Sequence, residues 1–258
     1  MSAFLLAAFI LVAGFAILWW RCSQLNNYSF VDAWWAFGIG FCALFYAVVG
    51  QGDFFKSLII GLLAACWSIR LGGHLLRRIR RHHPVEDSRY QKLREVWAGR
   101  VKRSFFWFFQ AQAFLVLLLS MPFLLISRDN GEWGVWEAMG LLVFAIGLGG
   151  ESLADAQMAS FKKSGAENSA ICQEGLWSYS RHPNYFFEFV VWLGFYFFAC
   201  GSEWGWVTVF APGLILFLLL KVTGIPPTEA SAVARKGDAY RDYQRSTSAF
   251  VPLPPRKN

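Results

Sequence analysis

Leu176-Trp177-Ser178-Tyr179-Ser180-Arg181-His182-Pro183-Asn184-Tyr185-Phe186-Phe187-Glu188 runs directly into the uncharged, apolar stretch Phe189 to Gly201. An aromatic pair, a guanidinium, an imidazole, a helix-starting Pro-Asn step and a carboxylate thus stand together where an apolar helix begins. Polar side chains are costly to bury at the edge of a bilayer. Their concentration there marks function.

Working outward, the apolar residues fall into runs close to the ~20 residues a helix needs to cross a bilayer. Seven are read: 3–20, 30–50, 54–76, 104–126, 134–157, 185–201 and 204–223. The chain is 56% hydrophobic and only 16% charged, against about 25% charged in a soluble domain. No long polar segment separates the runs, so residues 1–258 read as one all-α, polytopic membrane domain. Met1 to Trp20 has no basic leader and no small-residue cleavage pattern, so it is taken as a span rather than a signal peptide.

Charge sets the orientation. Of the 24 Lys and Arg residues, all but Lys56, Arg70 and Arg128 lie in 21–29, 77–103, 158–184 or 221–258, which alternate to one side. The positive-inside rule makes that side cytoplasmic, with the N-terminus outside and the C-terminus inside. The net charge of +7 therefore reports topology and anionic lipid rather than nucleic acid. The five cysteines include no Cys-x-x-Cys pair, and His82-His83 lacks the spacing of a helical metal site, so no metal is expected. The glycine patterns at 147–150 and 38–40 follow no strand, which excludes a dinucleotide-binding turn of the soluble type.

Ionisable residues recur at helical spacing in the inner half of the spans. Arg70, His74 and Arg78 share a face, as do Glu151 and Asp155, and Asn184 and Glu188. Asp32 opens the second span beside Trp34 and Trp35, and Lys221 closes the seventh. Any one of these alone reads equally well as an interfacial residue that snorkels or pairs across helices. Together, at one depth, they predict a polar cavity open to the cytoplasm.

These residues resemble the steroid 5α-reductase family (3-oxo-5α-steroid 4-dehydrogenases), in its bacterial seven-span branch. The likeness covers nearly the whole chain. It includes Asn27-Tyr28-Ser29-Phe30-Val31-Asp32-Ala33-Trp34-Trp35, Arg70-Leu71, Glu86-Asp87-Ser88-Arg89-Tyr90 and Ala154-Asp155-Ala156-Gln157. It continues through Gly175-Leu176-Trp177 and the Arg181 to Glu188 run, Gly224-Ile225-Pro226, and Tyr240-Arg241-Asp242-Tyr243 with Pro252. The central run is shared with sterol C14-reductases and isoprenylcysteine methyltransferases; the flanking pieces favour the reductases.

The resemblance implies an NADPH-dependent reduction of a carbon–carbon double bond conjugated to a ketone, typically in a Δ4-3-keto steroid. It implies nicotinamide-side roles for Trp177, Asn184, Tyr185 and Glu188, and a ribose contact for Asp155. Lys162 matches a family arginine. Tyr179, Arg181 and His182 correspond to the pyrophosphate region, Arg235, Lys236 and Tyr243 to adenine-side and phosphate contacts, and Arg78 and Arg81 to loop residues that grip the nucleotide. The family's ketone-binding glutamate aligns near Asp32 and its tyrosine at Trp67, with His74 as an alternative donor and Trp34 and Trp35 beside the substrate. Thr228 and Ala232 depart from polar family ligands. The expected partners are a hydrophobic steroid or enone lipid and membrane lipids, with no obligate protein partner, and the expected location is a bacterial inner membrane. Two other readings remain open: a membrane S-adenosylmethionine-dependent methyltransferase, and a non-catalytic lipid-binding protein.

Overall fold

The computed structural model describes residues 3–164 and 170–256. Helices account for the regular structure, and no strand occurs among the described residues; one isolated bridge joins Ser180 and Ser248. Five helical stretches are long and apolar enough to cross a membrane: Ala3–Leu25, Phe30–Val49, Phe54–His82, Val135–Lys163 and Gly205–Lys236. Their outward faces, and that of the helix carrying Phe114, show exposed apolar side chains such as Phe9, Val48 and Leu142. A water-soluble fold rarely presents so many; lipid accepts them without cost.

The chain divides into two compact units, Met1–Glu132 with Ser202–Gly205, and Trp133–Gly201 with Trp206–Asn258. In the first, α1 (Ala3–Leu25), α2 (Phe30–Val49), α3 (Phe54–His82), α4 (Ser88–Val96), α5 (Val101–Leu119) and α6 (Met121–Ile126) follow in order. Small residues let α2 and α3 lie close. A Cβ on Gly40 would sit 2.6 Å from that of Ser68, and Gly61 faces Ala43 and Ala47. Ser68 Oγ also donates to the Ala36 carbonyl at 2.8 Å. At the opposite end of this pair Asp53 caps α3 by accepting from the Lys56 amide, and the fully buried Lys56 ammonium reaches Asp129 at 3.1 Å. The helix α3 outruns its expected end at 76 because Arg77–His82 remain good helix formers. It stops where the residue before Pro84 is barred from helical geometry.

The run expected over 104–126 is two helices, α5 and α6, meeting at Ser120 with Pro122 in the first turn of α6. Proline has no amide hydrogen to give and is tolerated only in a first turn, so a new helix starts there.

The second unit is built on α7 (Val135–Lys163) and α9 (Pro183–Ala199), joined through the short α8 (Leu176–Tyr179). The helix α9 has the length of the run expected over 185–201, 17 residues, and starts two residues earlier, at Pro183. The two long helices run antiparallel with glycine at each close approach. A Cβ on Gly140 would lie 2.5 Å from Phe198 N, one on Gly194 2.6 Å from Phe144 N, and one on Gly147 2.6 Å from Val191 N. This is small-residue packing of membrane helices, which gains van der Waals contact by bringing backbones together. Beyond α10 (Phe210–Phe217), a π turn over Leu218–Val222 leads to α11 (Ile225–Lys236) and α12 (Asp238–Ser246). Gly237 stands between them at φ +56, a conformation open to glycine.

Candidate functional site

The helix register in the second unit gathers polar residues at one end of the α7–α9 pair. Gly140 lies opposite Phe198, Gly147 opposite Val191 and Gly150 opposite Phe187. Continuing the same antiparallel step brings Glu151 and Asp155 level with Glu188 and Asn184. Glu151 and Glu188 are buried, and Glu188 Oε1 accepts from Trp192 Nε1 at 3.0 Å. Asn184 Oδ1 is buried with no hydrogen-bond partner among the described residues. A buried acceptor without a donor loses its hydration uncompensated, so it suits a ligand that brings an N–H. Trp177 closes this end, donating from its indole to the Ala154 carbonyl at 2.9 Å. Gln157 helps to fold the chain back: its side-chain oxygen accepts from the Leu176 amide, and its amide group fills the space a Cβ on Gly175 would need.

The Arg181-His182 step does something else. Arg181 is buried and clamps the C-terminal helices. Its Nε donates to Glu229 Oε1 at 2.7 Å and its Nη1 to the carbonyls of Gln244 and Thr247. His182 Nε2 stands 3.3 Å from the same Glu229 oxygen, and Gln244 Nε2 donates to Glu229 Oε2 at 2.8 Å. The His182 ring stacks on Tyr185 with centroids 5.2 Å apart, and the Tyr185 hydroxyl lies 3.2 Å from Thr228 Oγ1. Tyr243 is buried and donates to the Trp177 and Ser180 carbonyls. Burial pushes its phenol upward, so it stays a donor. Tyr179 is exposed, its carbonyl accepting from Leu253 N.

A basic group completes this unit. Lys162 and Arg235 lie close enough to Lys236 for their charges to act on it, and Lys236 Nζ reaches the Ala170 carbonyl at 2.5 Å. Mutually repelling cations at a surface favour an anion among them.

In the first unit, Glu86-Asp87-Ser88-Arg89-Tyr90 folds onto the start of α2. Both Asp32 oxygens are engaged, by Arg89 Nη2 and by the Tyr90 hydroxyl, each at 2.6 Å. Glu86 accepts from the Tyr28 amide and from Arg94, whose guanidinium lies 4.8 Å over the Tyr28 ring. Burial would raise the Asp87 carboxyl, but hydrogen bonds and charge from Arg89, with Arg78 behind, hold it below its ordinary value. Burial and the Asp32 charge push the Tyr90 phenol well up.

The remaining expected residues of this unit lie on α2 and α3. Trp67 is fully buried in α3, and His74 follows it two turns on. Arg78 pairs with Asp87 at 3.1 Å, and Arg81 is exposed. Trp34 is partly exposed beside Gly14 of α1, whereas Trp35 Nε1 is a buried donor with no partner among the described residues.

The structure thus groups Asp155, Trp177, Asn184 and Glu188 at one end of a helix pair, and Lys162, Arg235 and Lys236 in a basic cluster. It assigns Asp32, Trp34, Trp35, Trp67, His74, Arg78 and Arg81 to the other unit. Sequence reasoning missed Glu229 and Gln244, which lie 48 and 63 residues from their partner Arg181. It also missed the role of Arg89 and Tyr90 at Asp32, although both stand in a run that carried the family likeness.

Comparison with known proteins is consistent with that likeness. A family model described as "Protein of unknown function (DUF1295)", a family related to the steroid 5-alpha-reductases, matches residues 18–247. An uncharacterized protein of Schizosaccharomyces pombe is 27% identical over 269 residues, covering 92% of this chain and 76% of its own. Steroid 5-alpha-reductase DET2 of Gossypium hirsutum is 28% identical over 126 residues, covering 48% of this chain and 45% of that protein. No solved structure matches.

Proposed function

The chain belongs to the DUF1295 family, and from that premise we propose that it is a membrane-embedded, NADPH-dependent reductase of a conjugated enone. The observation that carries the reading is the buried, unpartnered Asn184 Oδ1 at the level of Glu188 and Asp155, within the run shared with the family. A nicotinamide carboxamide offers the N–H this oxygen lacks. The Lys162, Arg235 and Lys236 cluster offers the charge a 2′-phosphate requires. The residues present therefore fit NADPH.

In this reading Asn184 and Glu188 orient the carboxamide, Trp177 and Tyr185 border the ring, and Asp155 bonds a ribose hydroxyl. Tyr179, His182, Tyr243, Arg78 and Arg81 belong to the phosphate and adenine side, and Arg181, taken up by Glu229 and the Gln244 and Thr247 carbonyls, holds that region in place. NADPH, when bound, supplies the hydride accepted by the β-carbon of the enone. The protein's part is to stabilise the charge that develops on the ketone oxygen and to hold the proton that the α-carbon finally takes. Trp35 Nε1, a buried donor without a partner among the described residues, suits the first task. Trp67 is the proposed hydrogen-bond donor to the ketone and His74 the proposed proton donor, with Trp34 beside the substrate. Asp32, expected from the sequence to be the acid, has both oxygens accepting from Arg89 and Tyr90 and serves to hold them. The substrate is a Δ4-3-keto steroid or another lipid enone.

The proposal includes seven crossings, the five long apolar helices together with α5–α6 and α9. The N-terminus is then outside, the C-terminus cytoplasmic, and the site open to the cytoplasm of a bacterial cell. Purified protein is expected to oxidise NADPH in the presence of progesterone or testosterone and to yield the 5α-dihydro product. Folded protein that binds NADPH yet reduces neither these nor other lipid enones would overturn the reading.

A further inference from the structure

The C-terminal segment closes on itself. Arg256 N donates to the Ser246 carbonyl at 2.8 Å, and between those residues the loop is pinned by Arg181 N to Ser248 O, Ser180 Oγ to Phe250 O and Leu253 N to Tyr179 O. Between this loop and α12 lies a cavity of about 280 Å³, lined among others by Arg181, Arg245, Arg256, Ser246, Ser248 and Leu253.

Three arginines and no acidic residue are among its lining residues. Arg181 is held by Glu229 through Nε and by backbone carbonyls through Nη1, so its charge is balanced and it forms a fixed part of the wall, leaving Arg245 and Arg256 to meet an anion. Arg245 pairs with Asp242 in an exposed i,i+3 contact that competes little with a ligand. Arg256 is exposed and Ser248 half-buried, and both are among the lining residues. Planar guanidinium forks and hydroxyls around a small concavity match the oxygens of a phosphate. The volume exceeds a bare phosphate, since a water molecule takes about 30 Å³ of liquid. Leu253, about half exposed, and Pro254 add an apolar side.

We propose that this C-terminal pocket is a phosphate-binding site separate from the nucleotide site, filled either by a phospholipid headgroup or by free phosphate. A lipid headgroup would seat its phosphodiester among the arginines and its glycerol against Leu253. The anionic lipids of the inner leaflet would supply it. Bound there, a phosphate would bridge Arg181 and α12 to the tail and stiffen the loop that holds the Arg181-His182 step. The site does not depend on the enone chemistry, so the two proposals fail separately.

The test uses the full chain in neutral detergent, titrated calorimetrically with inorganic phosphate and, by native mass spectrometry, with phosphatidylglycerol against phosphatidylcholine. Binding of phosphate or selective retention of phosphatidylglycerol is expected, and the arm that responds identifies the source. The variants Arg245→Gln and Arg256→Gln, both at exposed positions, should each weaken binding by about tenfold, the worth of one charge-assisted hydrogen bond. Their thermal unfolding and NADPH affinity should match the wild type. Binding unaltered in the double variant, no binding in either arm, or displacement of the bound phosphate by 2′,5′-ADP would overturn the inference.

Discussion

Replacing Glu229 by glutamine should loosen the C-terminal helices from the Arg181-His182 step. Glu229 accepts from Arg181 Nε at 2.7 Å and from Gln244 at 2.8 Å, and stands 3.3 Å from His182. The Arg181 side chain is 9% exposed and that of Glu229 16%. Glutamine keeps the shape and one acceptor but removes the charge that balances the guanidinium. Breaking a fully buried pair from one side costs about 3–5 kcal/mol. Partial exposure of Glu229 and the retained carbonyl reduce this to roughly 2 kcal/mol. For a domain of this size that lowers Tm by about 4–8 °C. Thermal unfolding in detergent reads the shift, and limited proteolysis should cut the 248–256 loop faster in the variant. A Tm and cleavage rate equal to the wild type would refute the clamp, because a buried guanidinium cannot lose its counter-charge without cost.

Other outcomes follow from the same reasoning. Gly147→Ala puts a methyl 2.6 Å from Val191 N, so the α7–α9 pair must separate; a loss of about 1–3 kcal/mol in thermal unfolding is expected, and unchanged stability would deny the close approach. Tyr90→Phe removes the 2.6 Å donor from Asp32; about 1–2 kcal/mol should be lost, and an unaltered Tm would deny that contact. Stability should also depend on pH at both ends of the scale. The Asp87 carboxyl is lowered by Arg89, so its contribution is present above the ordinary carboxylate value, about pH 4, and disappears as pH falls through the lowered one. The Tyr90 phenol is raised, so its contribution is complete below about pH 10 and declines above it. The substitution Asp87→Asn should flatten the acid limb and Tyr90→Phe the alkaline limb, as followed by circular dichroism; limbs identical to the wild type would deny these two groups their part.

The long apolar helices are legible because lipid imposes a simple rule: an uninterrupted apolar run near twenty residues is a span. The break at Ser120 is not, since hydropathy runs on through it and only Pro122, two residues later, signals a new helix. The carboxylate and amide pairs of α7 and α9 can be placed on shared faces from their i,i+4 spacing. Their common depth needs the register of the two helices, and that register is set by Gly140, Gly147 and Gly194 against backbone atoms no pattern reveals. Glu229 is invisible for a related reason. A single carboxylate in a polar stretch carries no local mark, and its partners lie far away along the chain. Asp32 shows the opposite case: its position is conspicuous in the sequence, but the Arg89 and Tyr90 that hold both its oxygens come from a loop whose return to α2 is tertiary.

Calorimetric titration of NADPH into wild-type protein and Asn184→Ala, with S-adenosylmethionine as the comparison ligand, tests the central claim most directly. Because Asn184 Oδ1 bonds no described residue, its removal should leave Tm unchanged. The same change should weaken NADPH binding by about tenfold, one hydrogen bond in a buried site. Tight binding of S-adenosylmethionine with none of NADPH, or NADPH affinity indifferent to Asn184→Ala, would contradict it.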